Sequence, residues 1–261
     1  MSWLGLDRKV AVVTGAGSGI GAAVALELAR DGARVAVLDI ELAGAEAVAG
    51  QAQELGGTAI AVEVDVTDAN SVAAAAADIT SRWGTADVLV NNAGRSGKGG
   101  ISDVSLADWQ RLIDINLTGY LLCSQQFGTA MRQRGRGSVI HMSSIAGINP
   151  QANSGAYSAT KAAVTMLARV LAMEWGPDGV RSNAVAPGMT RTPMAERIYA
   201  TPGVLEARSN AVPLRRVAAP QDIADVCAWL ASDRAAYVTG QEIAVDGGFS
   251  QSVMGHVPRP K

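Results

Sequence analysis

Seven short apolar runs recur along the chain: KVAVVT (9–14), RVAVLD (34–39), AIAVEVD (59–65), DVLVNN (87–92), SVIHMSS (138–144), RSNAVAPG (181–188) and EIAVDGG (242–248). Most are continuous in Val, Ile and Ala instead of alternating with polar residues, the pattern of strands covered on both faces. Between them lie Ala-rich amphipathic stretches suited to helices, at 19–31, 41–55, 68–83, 105–134, 155–175 and 220–232. Alternation of strand and helix predicts an α/β fold: a Rossmann-type, doubly wound parallel sheet of about seven strands with helices on both faces. No linker or charge run divides residues 1–261, so one domain is expected. The stretch 189–216 breaks the rhythm with Pro193, Pro202, Pro213 and several arginines. A connection of that length suits a mobile lid over a binding site. The end of the chain, 250–261, reads as an irregular arm.

Composition narrows the partners. Lys and Arg total 22, Asp and Glu 24, for a net charge of −2, with 48% hydrophobic and 18% charged residues. That balance gives no basic footprint for nucleic acid. No apolar run approaches the ~20 residues of a membrane span, and MSWLGLDRKV leads into the first strand without a signal-like apolar stretch. Cys123 and Cys227 are far apart, without Cys or His neighbours at ligand spacing, so the reading is two buried reduced thiols and no metal. A cytoplasmic protein acting on a small molecule is the expectation.

The first helix opens on TGAGSGIG (14–21). Gly15, Gly19 and Gly21 are spaced G-x-x-x-G-x-G; Ile20 breaks the stricter G-x-G-x-x-G frame, and Ser18 precedes the helix. The physics survives the altered spacing. Glycines let the backbone approach a pyrophosphate, and the helix start supplies unpaired N–H groups and partial positive charge. Asp39 ends the second run, eighteen residues beyond Gly21. A carboxylate there accepts hydrogen bonds from ribose hydroxyls and repels a 2′-phosphate. No Arg or Lys stands at Ala16, Ser18 or Ile40 to offset it, which favours NAD over NADP. Asp65 and Val66 follow the third strand at the expected adenine edge, and Asp68 reads as a helix cap.

Tyr157 and Lys161 lie four residues apart, one helical turn. A phenol is a poor base at neutral pH, with a reference pKa of about 10. A neighbouring ammonium stabilises the phenolate, so the pair can exchange a proton with an alcohol or carbonyl. Ser144, thirteen residues before Tyr157, ends a predicted strand at the sheet edge where such folds bind ligands, and its hydroxyl can polarise a carbonyl oxygen. His141, three residues earlier, falls on the opposite face and reads as a core histidine.

These motifs resemble the short-chain dehydrogenase/reductase family over essentially the whole chain: TGAGSGIG, NNAG (91–94), INLTG (115–119), the Ser144/YSATK pair and PGMTRT (187–192), in that order. The resemblance implies an NAD-dependent oxidoreductase interconverting a secondary alcohol and a ketone. Asn116, Ser144, Tyr157 and Lys161 would form the catalytic tetrad. Tyr157 is general base in oxidation and acid in reduction; Lys161 lowers its pKa and holds the nicotinamide ribose. Ser144 orients the substrate oxygen, and Asn116 holds a water that links Lys161 to solvent. Asn92, Ala93, Gly94, Pro187, Gly188, Thr190 and Thr192 would join Tyr157 and Lys161 along the cofactor. Gln151, Asn153, Met189 and Met194 would meet the substrate beside Ser144 and Tyr157, with Ser96, Ile145 and Tyr199 nearby. Gln151 and Asn153 suit a polyol or sugar, the methionines an apolar group. Two alternatives stay open: a β-ketoacyl-type reductase, whose relatives carry a basic residue in the glycine loop where this chain has Ser18, and a non-catalytic dinucleotide sensor on the same fold. Relatives of this kind are usually homotetramers, and AAVTMLARVLAMEW is apolar on more than one face, as a helix covered by both sheet and partner would be.

Overall fold

The computed structural model describes residues 3–252. Its elements run β1 (Val10–Thr14), α1 (Gly19–Arg30), β2 (Arg34–Asp39), α2 (Leu42–Glu54), β3 (Thr58–Glu63), α3 (Ala69–Trp83), β4 (Val88–Asn91), α4 (Leu106–Ile113), α5 (Gly119–Arg134), β5 (Gly137–Met142), α6 (Ile145–Ile148), α7 (Tyr157–Trp175), β6 (Val180–Pro187), α8 (Glu196–Tyr199), α9 (Val204–Ala211), α10 (Pro220–Ala231) and β7 (Glu242–Val245). All pairings are parallel, in the order β3-β2-β1-β4-β5-β6-β7.

The continuous apolar runs have the predicted cause. On β1, Ala11 and Val13 face one core with α1, α2 and α10, while Val10 and Val12 face a second with α3, α5 and α7. Each side chain of β1 and β4 is therefore buried whichever way it points, while the edge strands β3 and β7 stay half-buried. Cys227 belongs to the first core and Cys123 to the second; both are free, and burial pushes each thiol up to about 12. Asp68 caps α3 by accepting the Asn70 N–H at 2.9 Å. Among the described residues no helix is long and apolar enough to cross a membrane, and no three acidic, Cys or His side chains converge on a metal position.

Two departures bear on function. The stretch 105–134 is not one helix: a π-turn at Asp114–Thr118 separates α4 from α5. The wider turn re-aims the side chains it carries, and Asn116 is among them. The stretch 189–216 holds a 3₁₀ turn at Pro193–Ala195 and the helices α8 and α9, and an isolated bridge pairs Thr190 with Ala218. Of the predicted arm at 250–261, residues 253–261 lie outside the described part, His256 with them.

Candidate active site

Strand order reverses between β1 and β4, and ligands of open α/β sheets bind at the carboxyl ends of the strands there. The predicted apolar runs overshoot several strands by one to three residues at that end, and the overshooting residues build the site. Asn92 follows β4, Ser143 and Ser144 follow β5, and Val64 and Asp65 follow β3. They border one cleft of ≈ 1310 Å³.

The floor is a web between the first two loops. Thr14 Oγ1 accepts the N–H groups of Asn92 and Ala93 at 3.0 and 3.1 Å. Asn92 Nδ2 donates to the carbonyls of Thr14 and Gly15 at 3.0 and 2.8 Å. Gly15, at φ +61°, lies so close to the next loop that a Cβ would stand 2.6 Å from Ala93 Cα. Gly15, Ser18, Gly19 and Ile20 line the cleft. Helix α1 starts there with no side-chain cap at Ser18 and no acid in its first turn. An uncapped helix start facing a cleft leaves its N–H groups and partial positive charge for an anion. A dinucleotide pyrophosphate fits that donor set. Asp39 stands beside the loop, accepting the Gly17 N–H at 2.8 Å and the Glu41 N–H at 3.1 Å.

At the other end, α7 presents Tyr157 and Lys161 one turn apart, and Ser144 acts on the Tyr157 phenol, opposing the rise of its pKa. Ser144 also accepts the Ala146 N–H at 3.1 Å, which starts the one-turn helix α6 and fixes the hydroxyl. Ser143 donates to the Lys161 carbonyl at 2.9 Å and pairs with Thr165, bolting the end of β5 to α7. The Lys161 ammonium donates to the Met142 carbonyl at 2.7 Å.

A family model described as enoyl-(acyl carrier protein) reductase matches residues 15–250. The cis-4-hydroxycyclohexanecarboxylate dehydrogenase of Sinomonas cyclohexanicum is 43% identical over 244 residues, which cover 93% of this chain and 97% of that one. The chain belongs to the short-chain dehydrogenase/reductase family. Among solved structures, a Beutenbergia cavernae protein assigned as an NAD(P)-dependent gluconate 5-dehydrogenase, with NADP bound at low occupancy, superposes with a TM-score of 0.91 at 38% identity, covering 96% of this chain and 100% of that one. A 7α-hydroxysteroid dehydrogenase in complex with NADH and 7-oxo glycochenodeoxycholic acid superposes with a TM-score of 0.90 at 36% identity, covering 94% of this chain and 95% of that one. The chain is an oxidoreductase acting on CH–OH groups, between secondary alcohol and ketone, with a nicotinamide dinucleotide as cofactor.

Most family positions face the cleft as expected: Asp39, Asp65, Val66, Asn92, Ala93, Gly94, Ser144, Tyr157, Lys161, Pro187, Gly188, Thr190 and Thr192, and on the substrate side Gln151, Met189 and Met194. Ser96, Ile145 and Tyr199 line it as well.

Three positions behave differently. Gly21 does not line the cleft; a Cβ there would stand 2.3 Å from the Gly15 carbonyl, so this glycine serves loop packing. Asn153 does not line it either, because a left-handed turn at φ +57° carries it outside the lining. Asn116 is fully buried behind the wall. Its Oδ1 accepts the Arg95 N–H at 2.9 Å, and its Nδ2 donates to the Arg95 carbonyl at 3.0 Å and Thr160 Oγ1 at 3.2 Å. Its side chain thus ties the segment after β4 to α7.

The charge balance also differs from the sequence expectation. Burial raises the Tyr157 phenol, with the Ser144 hydrogen bond a smaller opposing influence. Burial lowers the Lys161 ammonium to about 7. Both groups are pushed toward neutrality in the protein alone. Sequence reasoning missed Ser143, Thr160 and Tyr120. Serine and threonine at strand and helix ends carry no signal that separates a brace from a solvated hydroxyl. His141 is the core residue expected: it sits between Asn91 and Ser182, both at 3.3 Å, and stacks on Tyr120.

Proposed function

We propose that the protein oxidises its secondary alcohol with NAD in preference to NADP. Asp39 carries this reading. Its carboxylate is pinned at the mouth of the glycine loop by two backbone N–H groups, and it lines the cleft where Ile40, Val66 and Ser18 offer no cation. Coulomb repulsion against a 2′-phosphate there is not offset. Steady-state kinetics with both cofactors test it: kcat/KM is higher with NAD, and Asp39→Ala narrows the gap by weakening NAD and relieving NADP. Equal or better efficiency of the wild type with NADP overturns it.

The roles follow from the geometry. When bound, the nicotinamide ring accepts or returns the hydride. Ser144, fixed by its own helix turn, holds the substrate oxygen beside the Tyr157 phenol. Tyr157 takes the hydroxyl proton in oxidation and returns it in reduction. Lys161 is held in place by the Met142 carbonyl, ready to meet the ribose. Asn116 and Thr160 keep the cleft wall and α7 in register. The segment 189–216, bridged from Thr190 to Ala218, closes over bound ligands and excludes water. Assembly as a homotetramer is supported by α7, whose Met166, Val170 and Met173 form an exposed apolar stripe at helical spacing. A reducing cytoplasm suits the two buried free thiols.

A further inference from the structure

We propose that Arg208 and Tyr199 form an anion subsite at the lid end of the cleft, and that the substrate is a secondary alcohol carrying a carboxylate on an otherwise apolar body. The proposal rests on the alcohol/ketone reading of the same cleft.

Both residues line the cleft. Tyr199 ends α8 and is buried. The Arg208 guanidinium, on α9, lies 5.3 Å from the centre of the Tyr199 ring, and its Nη1 donates to the phenol oxygen at 3.5 Å. A guanidinium laid on an aromatic ring loses little further freedom when it binds a planar anion. Three other arginines of this region are already engaged. Arg191 pairs with Glu196 at 3.5 Å, Arg215 donates to the Asn210 carbonyl at 2.6 Å, and Arg216 makes two 2.6 Å bonds to Asp222. Among the described residues, no carboxylate pairs with Arg208.

The distribution of charge along the cleft points the same way. Its acids are Asp39, Asp65 and Asp114, and Asp114 already accepts Gln110 Nε2 at 2.8 Å. Every one of them precedes β5 in the chain. The half built from residues after β5 offers two cationic side chains, Lys161 and Arg208, and no carboxylate. The wall of this half carries Ile145, Pro150, Met189, Met194, Ile198 and Phe249, with neutral polar residues such as Asn149 and Gln151 beside them. A ligand matched to this half places a hydroxyl at Ser144 and Tyr157, an apolar body against that wall and a carboxylate at Arg208. One guanidinium satisfies a carboxylate in a bidentate pair; a phosphate dianion would leave an oxygen and a charge unmet.

The test is calorimetric titration of the NADH-loaded protein with cyclohexanecarboxylate and with its neutral isostere, cyclohexanecarboxamide. The wild type should bind the carboxylate roughly 10- to 100-fold tighter, as a charge-assisted pair implies. Arg208→Gln should abolish the preference, Arg208→Lys should keep part of it, and Arg95→Gln, at one of the two exposed arginines on the cleft, should keep it in full. In turnover, 4-hydroxycyclohexanecarboxylate should show a lower KM than its primary amide in the wild type, and Arg208→Gln should remove that difference. Equal binding of acid and amide by the wild type overturns the subsite, as does a preference that survives in Arg208→Gln or vanishes in Arg95→Gln. Oxidation of neutral cyclohexanol with no advantage for the acid overturns the subsite alone. Tight carboxylate binding without turnover of any of these alcohols upholds the subsite and strikes at the alcohol reading instead.

Discussion

The Lys161 ammonium stands 5.7 Å from the centre of the Tyr157 ring, yet its hydrogen bonds go to the Met142 carbonyl at 2.7 Å and the Tyr120 hydroxyl at 3.5 Å. The two groups therefore sit side by side, Lys161 buried and Tyr157 half-buried, each biased toward its neutral form. Such bias is held against folding stability for the sake of chemistry.

Lys161→Met should make the protein more stable and inactive at once. The folded-state pKa of Lys161 is about 7, below the ordinary 10.5. The penalty of the buried charge is full below the folded value and fades as pH rises toward the unfolded one. The variant's Tm should exceed the wild type's by a few degrees near pH 6, on the order of 1–2 kcal/mol after loss of the Met142 contact. The gap should shrink toward pH 10. Scanning calorimetry across that range checks it; a lower Tm at pH 6, or a gap independent of pH, contradicts it.

His141 should govern part of the acid limb of stability. Burial holds its imidazole at about 3, below the ordinary 6.5. The unfolded chain takes up the proton first, so stability is lost as pH falls from 6.5 toward 3. His141→Gln should flatten that slope while lowering stability at pH 7, because Asn91 and Ser182 lose a well-placed partner. Tm measured against pH for both proteins decides it.

Two glycine substitutions should act in opposite directions. A Cβ on Gly21 would stand 2.3 Å from the Gly15 carbonyl and 2.4 Å from Asn92 Nδ2. Gly21→Ala should cost roughly 1–3 kcal/mol and weaken NADH binding by displacing the phosphate loop. A Cβ added to Gly50, inside α2, would meet nothing within 4 Å. Gly50→Ala should add about 0.5–1 kcal/mol through helix propensity alone. Denaturant midpoints and fluorescence titration with NADH read both.

The sheet was legible because its inner strands are buried on both faces, which writes an uninterrupted apolar run into β1, β2 and β4. That Tyr157, Lys161 and Ser144 line one cleft was legible because their spacing is that of a helix following a strand. The π-turn at Asp114–Thr118 was not legible. It needs one extra residue in a turn, and neither periodicity nor capping residues mark that. Without the π-turn, Asn116 reads as a residue facing the site, whereas its amide is spent on Arg95 and Thr160. Asn153 was misread for a related reason: a left-handed turn two residues beyond Gln151 carries one side chain outside the cleft lining and leaves the other on it. The direction of the Tyr157 shift depends on burial, which spacing along a chain does not contain.

Whether Tyr157 moves the substrate proton is decided by a pH–rate profile of alcohol oxidation in the wild type and in Tyr157→Phe. The variant keeps the ring and loses only the oxygen, so NADH binding, followed by fluorescence, should persist. Its turnover should fall by roughly 10²–10⁴. Wild-type oxidation should rise with pH as the phenol ionises, and Ser144→Ala should lower the rate and move the midpoint upward, because Ser144 opposes the rise of the phenol. Near-wild-type turnover in Tyr157→Phe, with the same rise in rate with pH, would rule out Tyr157 as the proton carrier.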